Sequence, residues 1–186
     1  MNAHMPRREA ERRFLLKALP SVAYEHELHI RQFYVLRDFS RGYSARFRHV
    51  INAQTGAAAC FETHKVGSGM DVMETEYPVA THLYDAMKPL YGCGLEIQKK
   101  RYVVTYGEHT WEIDAYDGFY AGLVVAEVEL DDPSQSLQVP TAFGPWQEVT
   151  DWRGMKNVSL SCDGLSAENK ARLRDWYGCE VWGRAE

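Results

Sequence analysis

Long apolar runs are missing from this chain. No stretch approaches the roughly 20 residues needed to span a bilayer, so no membrane helix is expected. The N-terminus, Met1-Asn2-Ala3-His4-Met5-Pro6-Arg7-Arg8, has basic residues but no apolar segment after them, which argues against a signal peptide. Cysteines are few. Cys60, Cys93, Cys162 and Cys179 form no C-x-x-C pair and have no histidine at ligand spacing, so a zinc site is not expected. Sparse cysteines without a signal peptide suit a reducing compartment, and the expectation is cytoplasmic. His26 and His29 are close in sequence, but on a strand they face opposite sides and make a poor metal pair. Excess positive charge is lacking too. A net charge of -5 argues against a broad basic surface for nucleic acid, although it does not exclude a basic interior pocket. Repeats of solenoid length and low-complexity tracts are absent.

What remains is an ordinary globular composition, 45% hydrophobic and 25% charged over 186 residues, long enough for one domain with a real core. Most segments between residues 7 and 130 alternate like strands and are rich in β-formers. The predicted strands are 8–16, 26–37, 43–51, 58–66, 70–77, 95–106, 109–117 and 122–130, with turn residues between them, Gly107 and Gly118 among these. Val79, Leu83, Met87 and Leu90 recur at helical spacing and predict an amphipathic helix over a barrel face or mouth. Residues 131–164 read as irregular, with Pro133, Pro140 and Pro145. Residues 166–177 predict a final helix, with Ser166 as N-cap and Gly178 as its stop. Eight short strands at this spacing predict a mainly β (α+β) fold, an eight-stranded antiparallel barrel with flanking helices, rather than alternating βαβ units.

Charge is patterned on these strands. Side chains two apart share a face. Acidic doublets of this kind are Glu9/Glu11, Glu74/Glu76, Glu112/Asp114 and Glu127/Glu129. Basic doublets are Arg46/Arg48 and Lys99/Arg101, with Arg13, Arg31 and Lys65 as single cations. A solvated sheet face mixes signs, because like neighbours repel. Here the signs are segregated strand by strand, which costs free energy unless something of opposite charge sits between them. Divalent metals suit paired carboxylates, and a polyanion such as phosphate suits the arginines and lysines. Between the acids lie Trp111, Ile113, Val124, Ala126 and Val128, so the other face is apolar and must pack outside the barrel. The charged face then lines a wet tunnel. The plainer alternative is a set of mutually neutralising buried salt bridges.

In order along the chain, these segments resemble the CYTH domain, or triphosphate tunnel metalloenzyme family. Glu9, Glu11 and Arg13 resemble its opening E-x-E-x-K strand, with Arg in place of the usual Lys. Ile30-Arg31-Gln32-Phe33-Tyr34 resembles I-R-Q-x-Y, Arg46-Phe47-Arg48 resembles R-x-R, and Thr63-His64-Lys65 resembles T-x-K. Glu74-Thr75-Glu76, Lys99-Lys100-Arg101, Trp111-Glu112-Ile113-Asp114 and Glu127-Val128-Glu129 follow, and Val149-Thr150-Asp151 with Lys156-Asn157 resembles the closing segment. Each motif alone is weak, but the ordered set is specific and spans about residues 9–160 of a single 1–186 domain (core about 7–160).

The resemblance implies a tunnel that binds a triphosphate with Mg²⁺ or Mn²⁺. Arg13, Arg31, Arg46, Arg48, Lys65, Lys99 and Arg101 are the expected phosphate ligands. Glu9, Glu11, Glu127 and Glu129 are expected on the main metal, and Asp114 with Glu76 or Glu112 on a second. Lys65 and Tyr34 stand where the family's water-activating residues fall. A lysine set among cations is suited to a base role, while strand alternation from Arg31 would turn Tyr34 away unless a bulge intervenes. The expected activity is metal-dependent hydrolysis of a small triphosphate, with inorganic triphosphate the simplest substrate and nucleoside or thiamine triphosphate next. Thiamine triphosphate would want aromatic stacking at the mouth, for which Trp146 and Trp152 are the candidates. Alternatives are a class IV-type adenylate cyclase, a non-catalytic polyphosphate- or nucleotide-binding module, and RNA 5′-end processing, which the negative net charge disfavours. No stable nucleic-acid partner and no membrane are expected; the sequence is silent on oligomeric state, which leaves a homodimer open.

Overall fold

The computed structural model describes residues 7–38, 40–68, 71–132 and 134–183. One antiparallel sheet dominates it. Its strands in chain order are β1 (Arg7–Glu9), β2 (Glu11–Leu16), β3 (His26–Asp38), β4 (Tyr43–Asn52), β5 (Ala58–Ser68), β6 (Asp71–Val79), β7 (Cys93–Tyr106), β8 (His109–Tyr116), β9 (Val124–Glu129) and β10 (Trp146–Glu148). The helices are α1 (Thr81–Tyr91), α2 (Asn157–Cys162) and α3 (Ala167–Tyr177). Among the described residues no helix is long and apolar enough to cross a membrane.

The strand order is β1-β6-β5-β4-β3-β7-β8-β9-β2-β10. The fold is the expected mainly β one with flanking helices and is consistent with a tunnel, although the ladder is not closed by hydrogen bonds. The two ends are joined by the chain itself. The first expected strand is split at Ala10, and its two halves take different partners: β1 pairs with β6 (Arg7↔Glu74) and β2 with β9 (Glu11↔Glu129). A strand that changes partner at one residue wraps the sheet around a lumen. β10 and α2 form within the stretch expected to be irregular, with β10 adding an edge to β2 (Gln147↔Leu15).

Alternation along the strands builds two different surfaces. On the outer face, Phe14, Leu16, Trp111, Ile113, Ala126 and Val128 pack under Leu137, Val139 and Phe143 of the 131–145 segment. Trp111 meets Phe143 edge-on at 5.3 Å between ring centroids. Farther round the same outer face, α1 lays Tyr84 across Phe33 at 4.9 Å and covers Phe47 and Cys60. On the inner face, Leu15, Ile97, Tyr116 and Val125 continue the alternation of the charged doublets. They join Leu160, Leu173, Val181 and Trp182 from the C-terminal helices in one buried cluster. That cluster fills one end of the lumen. Ser166 caps α3 by accepting from the Asn169 N–H, and Gly178 ends it in the left-handed conformation.

Candidate active site

Beyond the apolar plug, the inner face turns charged and opens into a cavity of about 330 Å³. β2 contributes Glu11 and Arg13, β4 contributes Ser44, Arg46 and Arg48, and β5 contributes Lys65. Glu74 and Glu76 come from β6, Arg101 from β7, Glu112 from β8, and Glu127 and Glu129 from β9. Thr150, Asp151, Lys156 and Asn157, from the segment after β10, complete the wall. That segment is tied to β2 at Arg13: the Arg13 backbone N–H donates to Thr150 Oγ1 (3.1 Å), and its Nη2 donates to the Thr150 carbonyl (2.9 Å).

The register explains why charges of one sign meet. Glu11 is the cross-strand partner of Glu129, and Glu112 of Glu127, so two acid–acid pairs stand side by side. Like charges directly opposite destabilise a sheet unless a cation lies between them. For Glu112 and Glu127 that cation within the protein is Arg101, while Arg13 Nε stands 3.6 Å from Glu11. Arg101 Nε and Nη2 donate to the two Asp114 oxygens at 2.7 Å each, Nη2 also reaches Glu127 at 2.7 Å, and Nη1 pairs with Glu112. Lys99 pairs with Asp114 from the other side.

On the opposite wall the pairs are Arg48 Nη2 with Glu76 (2.6 Å) and Lys65 Nζ with Glu74 (2.8 Å). Thr63 Oγ1 also donates to Glu76 at 2.8 Å. The Nε atoms of Arg13 and Arg48 are buried without a hydrogen-bond acceptor. A buried N–H left unmade is costly, and phosphate oxygens are the kind of acceptor that satisfies a guanidinium.

The electrostatics follow from burial and partners. Burial alone would push the Asp114 carboxyl up, but Arg101 and then Lys99 outweigh it and hold it well below the usual carboxylate range. Glu127 moves the other way: burial, then the charges of Glu11 and Asp114, raise it against the pull of Lys99 and Arg101. Burial and the neighbouring Arg46 depress Arg48. Glu74 is lowered, because Lys65 and Arg46 overcome its burial. Burial raises the Tyr34 hydroxyl, so it stays protonated.

Neither a family model nor a curated protein sequence matches the chain. Solved structures do. The crystal structure of the hypothetical protein NE1496 is 27% identical over 82% of this chain and 97% of that one, with a TM-score of 0.58. The structure of the inorganic triphosphatase NE1496 is 25% identical over 85% of this chain and 96% of that one, with a TM-score of 0.56. These likenesses support the CYTH-type fold that the sequence resemblance implied. The PH1819 protein from Pyrococcus horikoshii OT3, 19% identical over 68% of this chain and 80% of that one with a TM-score of 0.52, shares the fold.

The cavity brings together Arg13, Arg46, Arg48, Lys65, Arg101, Tyr34, Glu11, Glu76, Glu112, Glu127 and Glu129. The Glu9 side chain lies outside the described residues. Three expected site residues do not line the cavity. Arg31 is the plain correction. It projects outward, donates to Glu96 (3.2 Å) and lies over the Tyr84 ring at 5.4 Å. Gln32 and Tyr34 hold the inner positions instead, with Gln32 Nε2 donating to the Tyr34 hydroxyl at 3.3 Å. Tyr34 thus reaches the lumen by alternating with Gln32, and Arg31 is on the wrong face. Lys99 and Asp114 sit beneath the wall, at 2% and 0% side-chain exposure, as a neutralising pair rather than as surface ligands. For these two, the salt-bridge alternative describes the geometry better than the wet tunnel does.

Sequence reasoning passed over Ser44, and it read Glu74 as one of a doublet without giving it a site role. Ser44 alternates with the Arg46/Arg48 doublet, which was the available signal. Trp146 and Trp152 do not line the cavity: Trp146 packs edge-on against Phe14 at 5.5 Å, and Arg172 lies over Trp152 at 4.7 Å.

Among the described residues no three acids or imidazoles are grouped closely enough to form a ready-made metal cage. The donor set nevertheless fits a hard divalent cation. Glu11, Glu127 and Glu129 supply only oxygen donors from adjacent, in-register strands, and the buried Glu127 carboxyl is raised by its acidic neighbours, a situation that a cation relieves.

Proposed function

We propose that this chain is a metal-dependent triphosphatase that hydrolyses a phosphoanhydride bond, with inorganic triphosphate as its foremost substrate. One observation carries the reading: a single cavity has arginines and a lysine on its walls, buried guanidinium N–H groups without acceptors, and paired carboxylates facing them. The likeness to the inorganic triphosphatase NE1496 over nearly all of that protein supports the same chemistry. The choice of inorganic triphosphate rests on the lining. Its one aromatic ring among the described residues is Tyr34, deep on β3, so no platform for a base or thiazolium stands in the cavity.

Arg13, Arg46, Arg48 and Arg101 grip the phosphates and spread their charge. A divalent cation, Mg²⁺ or Mn²⁺, held by Glu11, Glu127 and Glu129 would supply charge neutralisation at the phosphate oxygens. Phosphoryl transfer passes through a loose transition state, so positioning and electrostatics carry most of the acceleration. Lys65 pairs with Glu74 at 2.8 Å, and the pair acts as a unit. Lys65 binds a phosphate oxygen and orients the attacking water, and the proton released from that water passes to the Glu74 carboxylate of the pair. The Tyr34 hydroxyl, kept protonated, donates to the same oxygen cluster. Water attacks phosphorus, the bridging P–O bond breaks, and its electron pair leaves with the departing phosphate group.

The test is phosphate release from tripolyphosphate, ATP and thiamine triphosphate, each with Mg²⁺, Mn²⁺ and Ca²⁺. Turnover of tripolyphosphate with a divalent cation is expected to be fastest. Cyclic AMP appearing from ATP, or no release from any of the three, would overturn the reading.

A further inference from the structure

Arg101 occupies an unusual position for a phosphate ligand: each of its three nitrogens donates to a carboxylate. One side of its guanidinium is fixed, since Nε and Nη2 make a two-pronged contact with Asp114, which is wholly buried and held again by Lys99. The other side faces the cavity through Glu127 and Glu112, the latter 40% exposed. Glu112 and Glu127 are also direct cross-strand partners, so without a cation between them their charges oppose each other.

We propose that Arg101 is an internal counterion that a divalent cation replaces, and that cation and triphosphate therefore bind this tunnel cooperatively. The inference rests on the triphosphatase reading and adds an order to it. A divalent cation approaching Glu112 and Glu127 meets oxygens already bonded to a guanidinium and the repulsion of its positive charge. A triphosphate offers that guanidinium several anionic oxygens in the planar arrangement it prefers. When Nη1 leaves Glu112 and Nη2 leaves Glu127 for phosphate oxygens, with the Asp114 contact as pivot, both carboxylates are released, Glu127 to the cation that it would hold with Glu11 and Glu129. Neither ligand need change the fold. Each raises the affinity for the other by the same factor, because coupling between two binding events is reciprocal.

The experiment measures Mn²⁺ binding by electron paramagnetic resonance of the free ion, first with no phosphate present. Wild type is compared with Arg101→Gln and with the double variant R101Q/D114N, which removes the carboxylate that the single change leaves buried and unpaired. Near-ultraviolet circular dichroism checks that each is folded. Removing the competing cation is expected to tighten Mn²⁺ binding about tenfold in at least one folded variant, the usual scale of such couplings. Equal or weaker Mn²⁺ binding in both variants would overturn the proposal.

A second titration adds a methylene-bridged triphosphate analogue, which cannot be hydrolysed. It should tighten Mn²⁺ binding more in wild type than in R101Q; an equal gain in both would count against the exchange. Complexation of Mn²⁺ by the analogue in solution is common to all samples, so the difference between proteins isolates Arg101. Failure of wild type to take up the analogue at all would sink the triphosphate reading and leave the phosphate-free comparison standing on its own.

Discussion

Gly94 gives a sharp test of how the cavity wall is held. It is the second residue of β7, at φ +73°, and α2 presses directly on it. A β-carbon there would overlap the Ser161 carbonyl oxygen and lie 2.8 Å from its carbon and 3.0 Å from Cys162 Cα. The contact is backbone on backbone, so no side-chain rotation relieves it. Gly107, in the turn between β7 and β8, has a similar φ of +63° but nothing within 4 Å of its notional β-carbon. The two glycines share the conformational cost and differ only in the clash. For Gly107→Ala the left-handed backbone alone should cost about 1 kcal/mol.

For Gly94→Ala that cost remains and α2 must also shift. The shift strains the Ser161 Oγ bond to the Leu95 carbonyl (2.6 Å) and the packing of the buried Leu160. Those terms add about 1 kcal/mol for the hydrogen bond and about 1–2 kcal/mol for the packing. The expected totals are about 3–4 kcal/mol against about 1 kcal/mol, or a fall in Tm of about 10 °C against about 3 °C for a chain of this size. Thermal and urea unfolding of the two variants measure it. Equal destabilisation would refute the close approach of α2 to β7. A shift of α2 also moves Asn157 and Lys156, which line the cavity, so Gly94→Ala should raise KM for the triphosphate while Gly107→Ala leaves it unchanged.

Lys65→Ala should abolish metal-dependent phosphate release with the circular dichroism spectrum intact, and unchanged turnover would remove Lys65 from the mechanism. Glu11→Gln should raise the metal concentration needed for half-maximal activity; activity that persists with EDTA present would break the metal requirement itself. Arg31→Ala should leave turnover within about twofold of wild type, because the side chain pairs with Glu96 outside the tunnel; a large loss would return it to the site. The Glu148 carboxyl is held below its ordinary range by a two-pronged hydrogen bond from Arg12, against a small opposing effect of burial. A depressed carboxylate stabilises the folded state above its unfolded value, and that contribution is lost as pH falls through the folded one. Glu148→Gln should therefore cost about 0.5–1 kcal/mol at neutral pH, as befits an exposed pair, and progressively less as the pH is taken down into the acid range. Urea melts at neutral and acid pH would show a constant difference if the pair were irrelevant.

Much of this architecture is legible because a strand has a two-residue period. The doublets Arg46/Arg48, Glu127/Glu129 and Glu112/Asp114 each mark one face, and the apolar residues between them mark the other. A chain with that pattern can only turn one face inward to charge and the other outward to an apolar cover. The expected helix over residues 79–90 lies at Thr81–Tyr91, and the final helix begins and ends at the cap and stop that Ser166 and Gly178 announce. Short-range rules of this kind depend on neighbours in sequence, and neighbours in sequence are what a sequence displays.

Depth along the lumen is another matter. Lys99/Arg101 and Glu112/Asp114 look alike as doublets, yet in each one member is buried beneath the wall and the other reaches the cavity. That division follows from the stagger between strands, with Arg101 opposite Asp114 and Tyr116 opposite Lys99, and from the plug that the C-terminal helices drive into one end. Stagger is a property of strand pairs. Arg31 shows the same limit: it stands in a run of plausible ligands, but its face is decided by Gln32 and Tyr34 docking against Arg46 on the next strand.

The sequence by itself determined the strand grammar, the segregation of charge and the kind of ligand that such charge requires, because these depend on composition and on a period of two. Tertiary structure alone decided which cations remain open to that ligand, that the sheet is closed by the chain at Ala10 instead of by hydrogen bonds, and that Arg101 lies among the acids. Each of those depends on which strand stands beside which, and at what height. Residues far apart along the chain meet only once the long-range pairing is complete.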